Sequence, residues 1–141
     1  MDEGPPLTSM EEEMRAKRAI KYAEKEHKEN LERANEIAEL GKYLASSFKQ
    51  KKALDREGVR RLDRLEKLTR KIRSETGGED DETTLAKPPA DLESALACIE
   101  KISVSLGEQF KKTPRQVVSA GVIDEANVLL ELIKVVRSFV K

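Results

Sequence analysis

The feature that most constrains the fold is the long stretch from Thr8 to about Gln50, which contains no proline and no loop signal. Thr8 and Ser9 each have a glutamate three residues later, so either can form a capping box at the start of a helix. A helix of roughly 40 residues is about 60 Å long. From Ile20 onward, apolar and small residues recur every three or four positions, which predicts one face covered by neighbouring helices. Before Ile20 this pattern is thin, and we expect that end to fray or to await a partner.

Three further helices follow from capping signals and apolar spacing. The second begins after the N-cap Asp55 and runs to about Arg73, and the third begins between Pro89 and Asp91. The last begins near residues 113–116, where a capping box has proline at its first helical position. No run of alternating β-branched residues predicts a strand. The predicted fold class is therefore all-α: antiparallel helical hairpins that form a four-helix bundle with a long first helix and no β-sheet.

The predicted boundaries give one folded domain. Residues 1–8 are expected to be a disordered N-terminus, and residues 9–141 a single helical bundle. Within the bundle, helix pairs at 9–73 and 91–141 flank a linker at 74–90, which contains two glycines, an acidic run and two prolines.

Charge and cysteine content argue against several function classes. The 27 basic and 27 acidic residues cancel, which disfavours a general nucleic-acid or membrane-surface binder. A single cysteine and a single histidine cannot supply an intrachain disulfide or a Cys/His zinc site. We therefore expect a cytoplasmic protein without a cofactor or metal, in which Cys98 is a buried structural thiol. The most apolar stretch, residues 122–140, is interrupted by charged residues, so no membrane span is predicted.

The last helix has a wide apolar surface. At 100° per residue its apolar side chains form two adjacent stripes that cover roughly half of the circumference, against an arc of about 100° for a surface helix. The first stripe comprises Val122, Ala126, Leu129, Ile133, Val136 and Val140, and the second comprises Val128, Leu132, Val135 and Phe139. Two interpretations stay open: the helix is covered by its own chain, or the second stripe is an oligomer face that meets another chain.

A basic run dominates the second helix. Five of its side chains form a stripe away from the apolar face: Arg56, Arg60, Arg64, Lys67 and Lys71. Such a stripe is typical of a face that binds an anion or an acidic partner. No aromatic residue lies between Phe48 and Phe110 to stack on bases, so nucleic acid is not the expected partner. Alternatively, glutamates of the first helix neutralise the stripe within the hairpin. In this interpretation Glu39 lies near Lys67, Glu36 near Arg70, and Glu32 near Arg73 or Ser74.

The only histidine forms half of a recognisable motif. Glu24 and His27 have the Glu-x-x-His spacing of metal-binding four-helix bundles, which need the motif twice, so only a homodimer would supply the full set. The order of a histidine on a long helix, a short turn and a second helix is loosely similar to that of histidine-kinase dimerisation domains, although no proline follows His27 in the helix. That similarity implies a phospho-accepting histidine. Alternatively, His27 is a half-exposed structural residue with a polar partner such as Glu24.

No nucleophile elbow, P-loop or dinucleotide-binding glycine motif is present in the sequence. The sequence therefore predicts a non-enzymatic helical bundle that acts as an interaction or scaffold module. We expect it to form a homo-oligomer, through its first or last helix, or to bind a helical protein partner. The alternative function is a signalling bundle or a dimeric metal-binding bundle centred on Glu24 and His27.

Overall fold

The structure is a computed structural model, and it describes residues 8–76, 85, 87–112 and 120–140. These residues contain no strand and four helices: α1 (Ser9–Lys51), α2 (Arg56–Glu75), α3 (Leu92–Lys112) and α4 (Ala120–Phe139). The all-α fold class is confirmed, and α1, with 43 residues, is the long first helix. Residues 1–7 of the predicted disordered segment, most of the predicted linker and the predicted start of the last helix lie outside the described residues.

Local sequence sets the helix ends as the capping signals predict. Side-chain oxygens of three N-cap residues accept hydrogen bonds from backbone N–H groups three residues later. The pairs are Thr8 with Glu11 (3.1 Å), Asp55 with Gly58 (2.8 Å) and Asp91 with Ser94 (2.8 Å). At the end of α1, Lys52 adopts a left-handed conformation (φ 57°), and its N–H donates to the carbonyl of Phe48. This cap stops α1 and lets the chain reverse into α2.

Each helix packs against two neighbours, so the bundle has a square cross-section. α1 and α4 lie on one diagonal, and each contacts both α2 and α3. Gly41 lies against Ser103, whereas His27 stacks on Phe110, so α1 and α3 are antiparallel. α2 and α4 are also antiparallel. Hydrogen bonds join them from Arg73 to Asn127 near one end and from Arg137 to Asp63 near the other.

The direction of the helices defines two ends of the bundle. We call the end where α1 enters the bundle the base. α2 and α3 both end at the base, and α4 begins there. The connection between Glu75 and Leu92 therefore has to return from the base to the opposite end. The 21-residue α3 spans about 30 Å, which sets the distance this connection has to cover. Leu85, within the connection, packs against the core.

The core combines large aliphatic side chains with a close contact between α1 and α3. A Cβ atom on Gly41 would lie 2.6 Å from Ser103 Cβ, and one on Gly107 would lie 3.2 Å from the carbonyl oxygen of Ala34. The two backbones can approach this closely only because both helices carry small residues at the contact. The small residues of α1 thus allow the close approach of a neighbouring helix, as their spacing predicted.

Candidate interaction surface

The first part of α1 lies beyond the base of the bundle. Every residue from 9 to 22 is exposed, and the first buried residue of the helix is Asn30. These 14 residues extend about 21 Å. The exposed fractions of the large apolar side chains are 69% for Met10, 47% for Met14, 50% for Ile20 and 64% for Tyr22. The prediction that the covered face begins at Ile20 is wrong, because α3 ends close to the level of His27.

His27 marks the point where α1 enters the bundle. Its ring stacks on Phe110 near the end of α3, with ring centroids 5.6 Å apart and an interplanar angle of 20°. Phe110 is 7% exposed, so this stack covers the base of the core. Among the described residues, no group of three or more potential metal ligands lies together. The contact supports a structural role for His27, with an aromatic partner in addition to any polar one, and the metal-binding and phospho-accepting roles stay predictions.

The basic stripe of α2 is neutralised largely by acidic residues of its own chain. Arg64 donates two hydrogen bonds to the carboxylate of Glu36 on α1, at 2.8 and 3.1 Å. This contact holds the pKa of Glu36 below its ordinary value. Lys71 pairs with Glu75 at 2.9 Å, and Arg60 lies 3.9 Å from Glu57. In the part of the chain that the structure describes, the other two members, Arg56 and Lys67, form no ion pair.

The hairpin register differs by one to two helical turns from the predicted one. Glu36 pairs with Arg64 rather than with Arg70, which instead pairs with Glu66 in its own helix. Glutamates of α1 and basic residues of α2 line opposite walls of an open groove, from Glu29 to Glu36 on one side and from Arg64 to Lys71 on the other. Three members of the basic stripe, Arg64, Lys67 and Lys71, therefore face acidic groups along this groove, which favours the intrachain interpretation of their charge.

The second apolar stripe of α4 is covered by its own chain over most of its length. Leu132 is 3% exposed, and Val128 and Val135 are half-buried against the core, which favours the interpretation that the chain itself covers the centre of this stripe. Glu125, on the same side of α4, accepts a hydrogen bond from Ser105 of α3. In a square bundle each helix has two neighbours, and the wide apolar arc of α4 faces both of them. At the C-terminal end of the described residues, Phe139 of this stripe is 42% exposed and Val140 of the first stripe is 36% exposed.

A buried polar contact near the base was missed by sequence reasoning. Arg73 is 8% exposed, and its guanidinium donates to the side-chain oxygen of Asn127 at 3.1 Å. The prediction that Arg73 pairs with Glu32 on the hairpin surface is wrong. Its neighbours Ile72 and Thr69 are both fully buried, but that burial is visible only in the structure, so the sequence carried no signal for the burial of Arg73. A buried guanidinium is stable only with hydrogen-bond partners, and Asn127 of α4 supplies one of them.

Two further sequence predictions can be compared with the structure. Cys98 is exposed, so the prediction of a buried structural thiol is wrong. It lies on the outer face of α3, because Ala95 and Ile99 beside it occupy the buried positions. No helix among residues 8–76, 87–112 and 120–140 is long and apolar enough to cross a membrane.

Comparisons with known proteins give no information about function. No protein-family model matches the chain, and neither a curated protein nor a solved structure is significantly similar to it.

Proposed function

We propose that this protein is a non-enzymatic interaction or scaffold module that binds another helix through the projecting part of α1, residues 9–22. The observation that carries the proposal is the exposure of every residue of this segment, including Met10, Met14, Ile20 and Tyr22. A 14-residue helix without tertiary contacts is marginally stable in water. A partner helix would stabilise it by covering its apolar side chains.

The other surfaces support this choice. The apolar stripe of α4 is used inside the bundle, and the basic stripe of α2 is mostly engaged with glutamates of the same chain. The candidate chemical residue His27 is stacked on Phe110. We also propose a cytoplasmic location, in which the exposed Cys98 remains a thiol.

Site-specific photo-crosslinking in cells tests the proposal. A photoreactive residue at Ile20 should give a discrete adduct, whereas the same residue at Cys98, exposed on the bundle, should give none. Ala16→Glu in the same chain should abolish the adduct without changing helicity, because Ala16 lies one turn from Ile20 on an exposed surface. A folded protein that gives no adduct at position 20, or equal adducts at both positions, contradicts the proposed function.

A further inference from the structure

We infer that the partner of the projecting part of α1 is a helix of another protein that carries acidic side chains. These side chains would meet a lysine stripe on the outer side of α1, which comprises Lys17, Lys21, Lys25 and Lys28. This inference rests on the proposed function and names the chemistry of the partner. It also extends the contact from the projecting part to the level at which α1 enters the bundle.

The lysine stripe points away from the core of the bundle. Its members follow one another at intervals of four, four and three residues, which places them on one side of a helix. All four are exposed, including Lys28, which lies close to the half-buried His27 and the buried Asn30. At 100° per residue, the fully buried Ile37 lies about 160° around the helix from Lys21. The stripe is therefore open to a partner along its whole length.

The positive charge of this segment is not neutralised by ion pairs. Residues 14–28 contain six basic and two acidic residues, and none of the six basic side chains forms an ion pair with another described residue. This differs from the basic stripe of α2, most of which is paired with glutamates. Lys17 and Lys21, and likewise Lys21 and Lys25, stand four residues apart, a spacing at which like charges destabilise a helix. An acidic partner would remove this repulsion.

Two exposed methionines extend the lysine stripe toward the start of α1. Met10 precedes Lys17 by seven residues, and Met14 precedes Lys21 by seven, so each methionine lies in line with a lysine. Ile20, three residues after Lys17, borders the same line. A helix along this line would cover the methionines with apolar side chains and meet the lysines with acidic ones. The flexible methionine side chains can adapt to the shape of such a partner.

The same line of α1 leads into a groove on the bundle. Steps of seven residues from Lys28 reach Asn35 and Lys42, and the line drifts slowly around the helix because seven residues fall about 20° short of two turns. Asn35 and Lys42 line a groove of about 270 Å³ between α1 and α3. Ala38 and Gly107 also line it, and their small size gives a partner helix room to approach. The partner would then contact two helices of the bundle.

A helical protein suits this surface better than a uniform polyanion does. The three glutamates at residues 11–13 lie between the two methionines, and Glu39 and Glu108 line the groove at the other end. These carboxylates would repel the phosphates of a nucleic acid or the headgroups of an anionic membrane. A helix can vary its side chains along its length and place acidic residues opposite the lysines alone.

A pair of defined peptides tests the charge of the partner. The probe is a synthetic helical peptide with leucine at every third or fourth position and glutamates on both sides of the leucines. Its control has lysines in place of the glutamates. Fluorescence anisotropy with the full chain should show about tenfold or more tighter binding of the acidic peptide, and added salt should reduce this difference. Equal binding of the two peptides overturns the inference.

Matched charge reversals test the location of the contact. The stripe variant carries Lys17→Glu, Lys21→Glu and Lys28→Glu. The control variant changes the net charge equally, at basic residues that form no ion pair among the described residues: Lys49→Glu, Arg56→Glu and Lys67→Glu. The stripe variant should bind the acidic peptide about tenfold or more weakly, and the control variant within about threefold of wild type. Equal weakening of both, with helicity retained in circular dichroism, would show general charge attraction and overturn the inference.

A variant without a charge change tests whether the contact includes the methionines. Met10→Ser with Met14→Ser should weaken binding of the acidic peptide severalfold, because the apolar part of the contact is lost. An unchanged affinity would show that charge alone attracts the peptide, which contradicts docking of a helix along this line.

The photo-adduct at position 20 separates this inference from the proposed function. In cells, the adduct should be lost in the stripe variant and kept in the control variant, and mass spectrometry of the crosslinked peptide should identify an acidic segment of another protein. An adduct that survives in the stripe variant, or one that joins two copies of this chain, overturns the inference and leaves the proposed function standing. An adduct that a nuclease removes, or no adduct at all, contradicts both.

Discussion

The two parts of helix α1 form the same secondary structure in different surroundings. In the bundle part, Ile37 is fully buried and Gly41 touches α3. In the projecting part, Ile20 has the same side chain and the same helical backbone, yet it is 50% exposed. The difference shows that the sequence of α1 specifies a helix throughout, whereas burial depends on where its neighbours end.

The largest expected difference between the two parts concerns these isoleucines. Ile37→Ala should lower the free energy of unfolding by about 2–5 kcal/mol, because it removes apolar contacts and leaves a cavity. Ile20→Ala should change it by less than about 0.5 kcal/mol at low protein concentration, because an exposed side chain loses little contact. Urea unfolding of both variants measures this. Equal losses at the two positions would mean that the projecting part is packed in the monomer.

A second comparison concerns glycines at close contacts. Gly41→Ala should destabilise the protein by about 1–3 kcal/mol, because the new methyl group would collide with Ser103 on a packed helix. The gain in helix propensity, about 1 kcal/mol, works against this loss. Gly58→Ala is the matched control, since its Cβ would meet mainly the flexible end of Leu54. Its effect on thermal unfolding should be smaller, and a more damaging Gly58→Ala would show that the α1–α3 contact can relax.

A smaller effect is expected for the ion pair between α1 and α2. Glu36→Gln should lower the free energy of unfolding by about 0.2–1 kcal/mol, because the pair with Arg64 is largely exposed. Glu13→Gln, in the projecting part, should have no measurable effect. A double-mutant cycle with Arg64→Gln isolates the coupling energy, and a cycle that shows no coupling would mean that the pair contributes no stability.

The ion pair between Glu36 and Arg64 should make the protein less stable as the pH falls into the acidic range. The hydrogen bonds from Arg64 hold the pKa of Glu36 below its ordinary value of 4.5. The stabilisation is therefore present above about pH 4.5 and is lost as the pH falls through the lower pKa of the folded state. Between pH 6 and pH 3 the stability of wild type should fall more steeply than that of Glu36→Gln. Parallel profiles for the two proteins would contradict this assignment.

Parts of the candidate site could be predicted from the sequence and parts could not. The exposed start of α1 follows from its thin apolar pattern, and the caps at Thr8 and Asp55 follow from residue types. The register of the α1–α2 hairpin could not be predicted from the sequence. A small change in the position of the turn moves every pair along the helices, and exposed ion pairs are too weak to select one register. The buried Arg73 was missed for a related reason, since its partner Asn127 is distant in sequence.

The sequence by itself determined the four helices, the caps at Thr8 and Asp55 and the approximate length of α1. These features depend on interactions between residues a few positions apart, which are present in a segment whatever the rest of the chain does. Only the tertiary structure decided that α4 uses most of both stripes inside the bundle, that Cys98 faces outward and that α1 extends past the base. Burial is a property of helix pairs, because an apolar face is covered only as far as the neighbouring helix reaches.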